Sequence, residues 1–156
     1  MFNLQKQRNL KYTGPFYSVD DPEYVCPWCI YDGSAATAYH GEFNDYASIE
    51  GVSPDPAEAP PAISTEYITE ITQKTPGYHS WQQGVWLIHC DEPCAFLGYA
   101  DSEKIKPFLE ELGEDIKNCG IDPEYVKNHL TKDSDVAGYL FQCVRCGKHR
   151  LHADCN

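Results

Sequence analysis

Two apolar runs, each interrupted by a tight polar loop that carries paired cysteines, dominate the hydrophobic pattern of the chain. The first is Trp86-Leu87-Ile88-His89-Cys90-Asp91-Glu92-Pro93-Cys94-Ala95-Phe96-Leu97-Gly98-Tyr99. The second is Tyr139-Leu140-Phe141-Gln142-Cys143-Val144-Arg145-Cys146-Gly147-Lys148-His149-Arg150-Leu151. Each reads as strand, turn, strand, because short β-branched and aromatic runs bounded by turn residues suit a pleated, half-buried surface. Between them the period changes to that of a helix. Asp101 or Ser102 can cap a helix beginning at Glu103. Phe108, Leu109, Leu112 and Ile116 lie at helical spacing, and Pro107 is either the N1 residue of that helix or the point where a first turn breaks. Asp122-Pro123 starts another helix by the cap-then-proline rule, with Tyr125, Val126 and Leu130 on its apolar side. The helices of residues 102–130 are therefore an insertion between two Cys hairpins.

Upstream the pattern is weaker. Tyr12 to Val19 suggests a short strand or hairpin arm, Asp20-Asp21-Pro22 a turn, and the Ser/Ala-rich run after Cys29 a short helix. Ser64 offers an N-cap for a helix with Tyr67, Ile68 and Ile71 on one face, which stops after Lys74, at Pro76-Gly77. Trp81 and Trp86 are expected in the core. The resulting fold class is α+β: small zinc-ribbon-like hairpins with an inserted helical segment, in a single domain over residues 1–156. Its segments are an N-terminal part (1–49), a proline-rich acidic loop (50–63), and a helix with the paired hairpins (64–156).

Composition narrows the function. The net charge is −12, and its distribution is uneven. No Lys or Arg occurs from Tyr12 to Gln73, a stretch that holds eleven of the 24 carboxylates. Such a surface repels phosphate backbones, so nucleic acid is a poor partner for the whole chain. An acidic face either maintains solubility or attracts a basic protein partner. No apolar run reaches the roughly 18 residues of a membrane span, and the first residues lack an apolar signal core, so the expectation is a cytoplasmic protein without membrane insertion. In that compartment eight cysteines, several closely paired, read as metal ligands before disulfides.

Cys143-x-x-Cys146-Gly147 lets the chain reverse so that two sulfurs and the loop amides face one point, and Cys90-x-x-x-Cys94 has the same flanking strands. Four thiolates hold Zn²⁺ tetrahedrally with no position left for water, so Cys90, Cys94, Cys143 and Cys146 form the main candidate site, structural in kind. Cys26-Pro27-Trp28-Cys29 is either half of a second, incomplete zinc site or a thiol–disulfide oxidoreductase motif. Cys119 and Cys155 read as a packed helix-end residue and a tail thiol, and His89 as a strand residue packed beside the metal. A further alternative is nucleic-acid binding by the C-terminal knuckle, where Arg145, Lys148, His149, Arg150 and His152 cluster. Neither H-E-x-x-H nor G-x-S-x-G occurs, so hydrolytic chemistry has no motif to rest on.

Several long motifs are similar to a known family. Tyr12-x-Gly14-Pro15-Phe16-Tyr17-Ser18-Val19, Cys26-Pro27-Trp28-Cys29-Ile30-x-Asp32-Gly33-Ser34-Ala35-Ala36, Thr75-Pro76-Gly77-Tyr78-x-x-Trp81-Gln82 and the two Cys hairpins resemble the CbrC family of small bacterial cytoplasmic proteins. That resemblance implies a role in colicin or stress tolerance through protein interaction, without an established enzymatic activity. It also implies a departure. Related chains begin further upstream and carry another cysteine cluster before the Tyr-x-Gly-Pro segment. Here Phe2-Asn3-Leu4-Gln5 has none, so either this chain starts at an internal Met or the first site is lost. Cys26 and Cys29 are then expected to be free, disulfide-linked, or joined to the other site.

Overall fold

A computed structural model describes residues 9–20, 22–55, 57, 61–131 and 134–156. The Pro56 and Glu58-Ala59-Pro60 part of the proline-rich connector, and Asp21 of the expected turn, lie outside the described residues. The chain divides into two compact units, Met1–His79 and Ser80–Asn156.

In the first unit, α1 (Pro27–Tyr31) and α2 (Ser34–Ala38) are two short helices separated by Gly33, whose φ of 76° is open to glycine and costly to other residues. α3 (Thr65–Lys74) starts on Ser64, whose hydroxyl accepts from the Tyr67 N–H, as its sequence predicts. The core gathers Val25, Ile30, Ala35, Ala36 and Phe43, with Tyr12, Phe16 and Cys29 against it. Aromatic stacking holds the Tyr12–Val19 segment in place: Phe16 and Phe43 rings lie 4.6 Å apart, and Tyr12 meets Phe43 edge-on at 5.4 Å. The expected strand is reduced to one bridge, Tyr17 to Glu42. Asn44 is buried and satisfied: its amide donates to Ile71 O at 2.8 Å and Thr75 O at 2.9 Å, closing the end of α3.

The second unit is a four-stranded antiparallel sheet in the order β1 (Ile88–His89), β2 (Glu92–Ala100), β3 (Val136–Cys143), β4 (His149–Cys155). The β2–β3 connection carries α4 (Ser102–Ile105), a 3-10 turn at Lys106–Phe108, α5 (Gly113–Asn118) and α6 (Pro123–His129). Of the two readings at Pro107, a helix starting there or a break in the first turn, the break is what is found. Pro107 has no N–H to give the preceding turn, so the chain breaks there, although Leu112 and Ile116 still reach the core. Asp101 and Asp122 cap α4 and α6, accepting from Lys104 N–H (2.8 Å) and Tyr125 N–H (2.9 Å). One sheet face packs Leu140, Leu151 and Ala153 against Ile105, Leu112, Ile116, Val126 and Leu130.

The opposite face is aromatic and polar. Tyr139 donates to buried Asp154 at 2.9 Å, Asp154 also accepts from the Gln82 N–H at 3.1 Å, and Trp86 lies edge-on to Phe141. Trp86 is buried as expected. Trp81 is half exposed instead, with its backbone N–H anchored on Tyr139 Oη at 3.2 Å. The fold is mixed helix and sheet. Among the described residues no helix is long and apolar enough to cross a membrane.

Candidate metal centre

Two hairpin tips build the site. At the first, β1 and β2 pair Ile88 with Pro93 and His89 with Glu92, leaving Cys90 and Asp91 as the central residues of a two-residue turn. Both have positive φ, 56° and 61°, the signature of a type I′ turn, which matches the twist of the flanking strands. Asp tolerates this region better than Cys does, so the sulfur-bearing residue carries most of the backbone cost. At the second tip, Cys143 N–H donates to Lys148 O at 2.8 Å and Gly147 N–H to Cys143 O at 3.0 Å, with Gly147 at φ 78°. That geometry turns the Cys146 N–H toward Cys143 Sγ at 3.5 Å, an amide-to-sulfur bond that stabilises thiolate charge.

The tips meet because β2 and β3 pair in a register that sets Cys94 opposite Cys143. One donor atom each from His89, Cys90, Cys143 and Cys146 then lies within 4.8 Å of the others. The His89 Nδ1 is 3.2 Å from Cys90 Sγ and 3.4 Å from Cys146 Sγ. A tetrahedron built on Zn–S and Zn–N bonds has edges of about 3.6 Å, so these spacings suit a four-coordinate ion. Cys143 is buried, His89 and Cys90 are half-buried, and Cys146 is exposed. Arg145 reaches across to donate to Cys90 O at 3.4 Å, tying the tips together.

The cluster holds its protons unequally. Burial opposes ionisation of Cys143, but the amides of Cys146 and Arg145 and the His89 ring outweigh it and bring the thiol down to about 6. Burial, hydrogen bonding to Cys146 and Cys143, and their negative charge push the Cys90 thiol up to about 11. Three sulfurs this close cannot all ionise unless a cation offsets the charge.

Of the six cysteines singled out by sequence, the structure brings Cys90, Cys143 and Cys146 together. Cys94 is one of the most buried residues, with its N–H on Leu87 O at 3.0 Å, and is not among the four clustered donors. His89, expected to pack beside a metal, instead places its own donor atom in the cluster. The available signal was its place next to Cys90. His89 also lines a cavity of about 210 Å³ with Glu111, Glu114, Asp115, Asn118, Lys148 and Arg150. Behind it, Arg150 is clamped to Asp115 (2.9 Å) and donates to Ile88 O at 2.6 Å, while His149 stacks on Phe108 and pairs with Glu111.

Cys26 and Cys29 lie in the first unit, joined as a disulfide, one of the three states expected of a pair without an upstream partner; a disulfide offers no thiolate to a metal. Cys119 donates to Ile116 O at the end of α5, and Cys155 closes β4.

A UPF0167 protein of Pseudomonas aeruginosa is 34% identical over 156 residues, covering 96% of this chain and 82% of that protein. UPF0167 proteins of Mycobacterium bovis and Mycobacterium tuberculosis are each 32% identical over 161 residues, covering 97% of this chain and 80% of theirs. No solved structure matches. The assignment to the CbrC family is corrected by these findings: the matching family model and these relatives carry the UPF0167 name, and nothing in them supports a role in colicin tolerance. With a family model matching residues 3–155, the chain belongs to the uncharacterised protein family UPF0167.

Proposed function

We propose that the C-terminal unit of this protein is a non-enzymatic scaffold stabilised by one zinc ion bound to His89, Cys90, Cys143 and Cys146, the two hairpin tips acting as a zinc-ribbon-like clasp. The observation that carries the reading is the convergence of three sulfurs and one imidazole nitrogen within 4.8 Å. That donor set is soft, suits zinc over magnesium or calcium, and fills all four positions of a structural site. A filled coordination sphere stabilises the fold and leaves no place for substrate or activated water. The charge distribution supports a role in protein interaction, with the carboxylate-rich stretch from Tyr12 to Gln73 facing a basic partner.

Elemental analysis of the purified full-length protein tests this. One zinc per chain is expected, lost in Cys143→Ser and His89→Ala and kept in Cys94→Ser. Loss in Cys94→Ser with retention in His89→Ala would hand the fourth position to Cys94, whose place opposite Cys143 keeps the two β-carbons about 5 Å apart. A metal-free wild-type protein that folds normally would refute the reading.

A further inference from the structure

The first unit holds a pair of sulfurs that the zinc clasp does not use. Cys26 and Cys29 are bridged across two residues, with Cα atoms 5.3 Å apart. The two ends of the bridge differ. Cys26 is 6% exposed, and its Sγ accepts from the Cys29 N–H at 3.2 Å. Cys29 is half-buried at the edge of the aromatic core. Beside it Trp28 is 43% exposed, and Tyr31, at the end of α1, is 79% exposed. Cys29 is therefore the more exposed of the two residues, while Cys26 has a donor in place to stabilise negative charge on its sulfur. Thiol–disulfide exchange needs both: an accessible sulfur to attack and a leaving sulfur whose thiolate is stabilised.

We propose that Cys26–Cys29 is a reversible thiol–disulfide exchange site for dithiols on peptides or proteins with apolar flanking residues, with Cys29 as the attacked sulfur. A substrate thiolate attacks Cys29 Sγ. The Cys29–Cys26 bond breaks, and its electron pair leaves on Cys26 Sγ, where the Cys29 N–H stabilises it. The substrate's second thiol loses its proton to water and attacks the substrate sulfur of the mixed disulfide. The substrate leaves as a disulfide and Cys29 as a thiolate. Two electrons pass from the dithiol to the protein, and the reverse sequence reduces a substrate disulfide. Trp28 and Tyr31 supply the apolar surface on which such a segment rests. This polarity, with the second cysteine reactive, follows from Cys26 being the one sealed in the core.

The test uses full-length protein reduced under native conditions, with oxidised glutathione as the probe and peptide mass spectrometry to locate adducts. Cys26→Ser is expected to accumulate a stable glutathione adduct on Cys29. Cys29→Ser is expected to form its adduct on Cys26 at least about tenfold more slowly, as burial restricts access to the sulfur. Cys26 is a core residue, so a second measurement is made on the wild type. Limiting alkylating reagent after native reduction is expected to label Cys29 before Cys26. Equal labelling, preferential labelling of Cys26, a bridge reducible only after unfolding, or metal bound by this pair in purified protein would each overturn the proposal.

Discussion

Replacing Asp115 with alanine severs the link between the helical insertion and the hairpin that carries His89. Asp115 accepts from Arg150 Nε at 3.1 and 2.9 Å and from the Leu151 N–H at 2.9 Å. The Arg150 and Asp115 side chains are 15% and 11% exposed, so the pair is largely out of water. Truncation leaves a guanidinium without its counter-charge and a strand N–H without an acceptor. Removing one partner of a fully buried pair costs about 3–5 kcal/mol; the residual exposure here, and water entering from the adjoining cavity, reduce that to about 2–4 kcal/mol. Asp115→Asn keeps an acceptor for Leu151 and is expected to cost about half as much. Urea unfolding of the purified protein reads these values directly. The double variant Asp115→Ala/Arg150→Met removes the stranded charge and is expected to recover part of the loss. In the zinc-bound form proposed above, release of the ion from Asp115→Ala is also expected to quicken, because Arg150 holds Ile88 O, one residue before His89. A loss below about 1 kcal/mol for Asp115→Ala, or a double variant as unstable as the two single losses added, would refute this reasoning.

Two further outcomes follow from the same sheet. A Cβ placed on Gly138 would sit 2.0 Å from Leu130 Cδ2 and 2.9 Å from Ala100 O. Since Ala100 is fixed by pairing with Gly138 and Leu130 is fully buried, Gly138→Ala is expected to cost about 3 kcal/mol and lower Tm by several degrees; an unchanged Tm would show that Leu130 has room to move. His152 stacks on Tyr139, and burial lowers its pKa below 6.5, against the opposing pull of Asp154 and a Gln83 backbone bond. Between the folded value and 6.5 the native state binds fewer protons than the unfolded one. The stability tied to this residue is therefore complete above 6.5 and is lost as pH falls through the window beneath it. Tm measured from neutral pH down to about pH 5 is expected to fall, and His152→Gln to flatten that dependence; equal slopes would exclude the residue as the cause.

Much of this fold is written in local signals. Ser64, Asp101 and Asp122 cap helices because a short acceptor side chain reaches the first free amides whatever lies elsewhere, so α3, α4 and α6 are legible from their own residues. The two Cys hairpins are legible for the same reason. Long-range packing explains what was not. The Tyr12–Val19 segment has strand-like residues, yet its rings find the Phe43 core before its backbone finds a partner strand. Trp81 has the character of a core residue, but the Tyr139–Asp154 pair takes hold of the backbone beside it. The candidate site was half readable. Cysteine spacing marks which loops converge, but which donors face inward depends on the positive φ of Cys90 and on the β2–β3 register, neither of which a spacing rule encodes.

The β2–β3 register has a further consequence for the order of events in folding. The two hairpin tips are separated in sequence by the whole helical insertion, and each contributes only two of the four clustered donors. A slip of one residue would turn Cys143 to the other side of the sheet, leaving an incomplete cluster. In the zinc-bound form proposed for this chain, high-affinity capture of the ion must therefore wait until the non-local strand pairing is made correctly. The ion then acts as a proofreader, locking the native alignment and leaving misaligned chains unclasped and open to rearrangement.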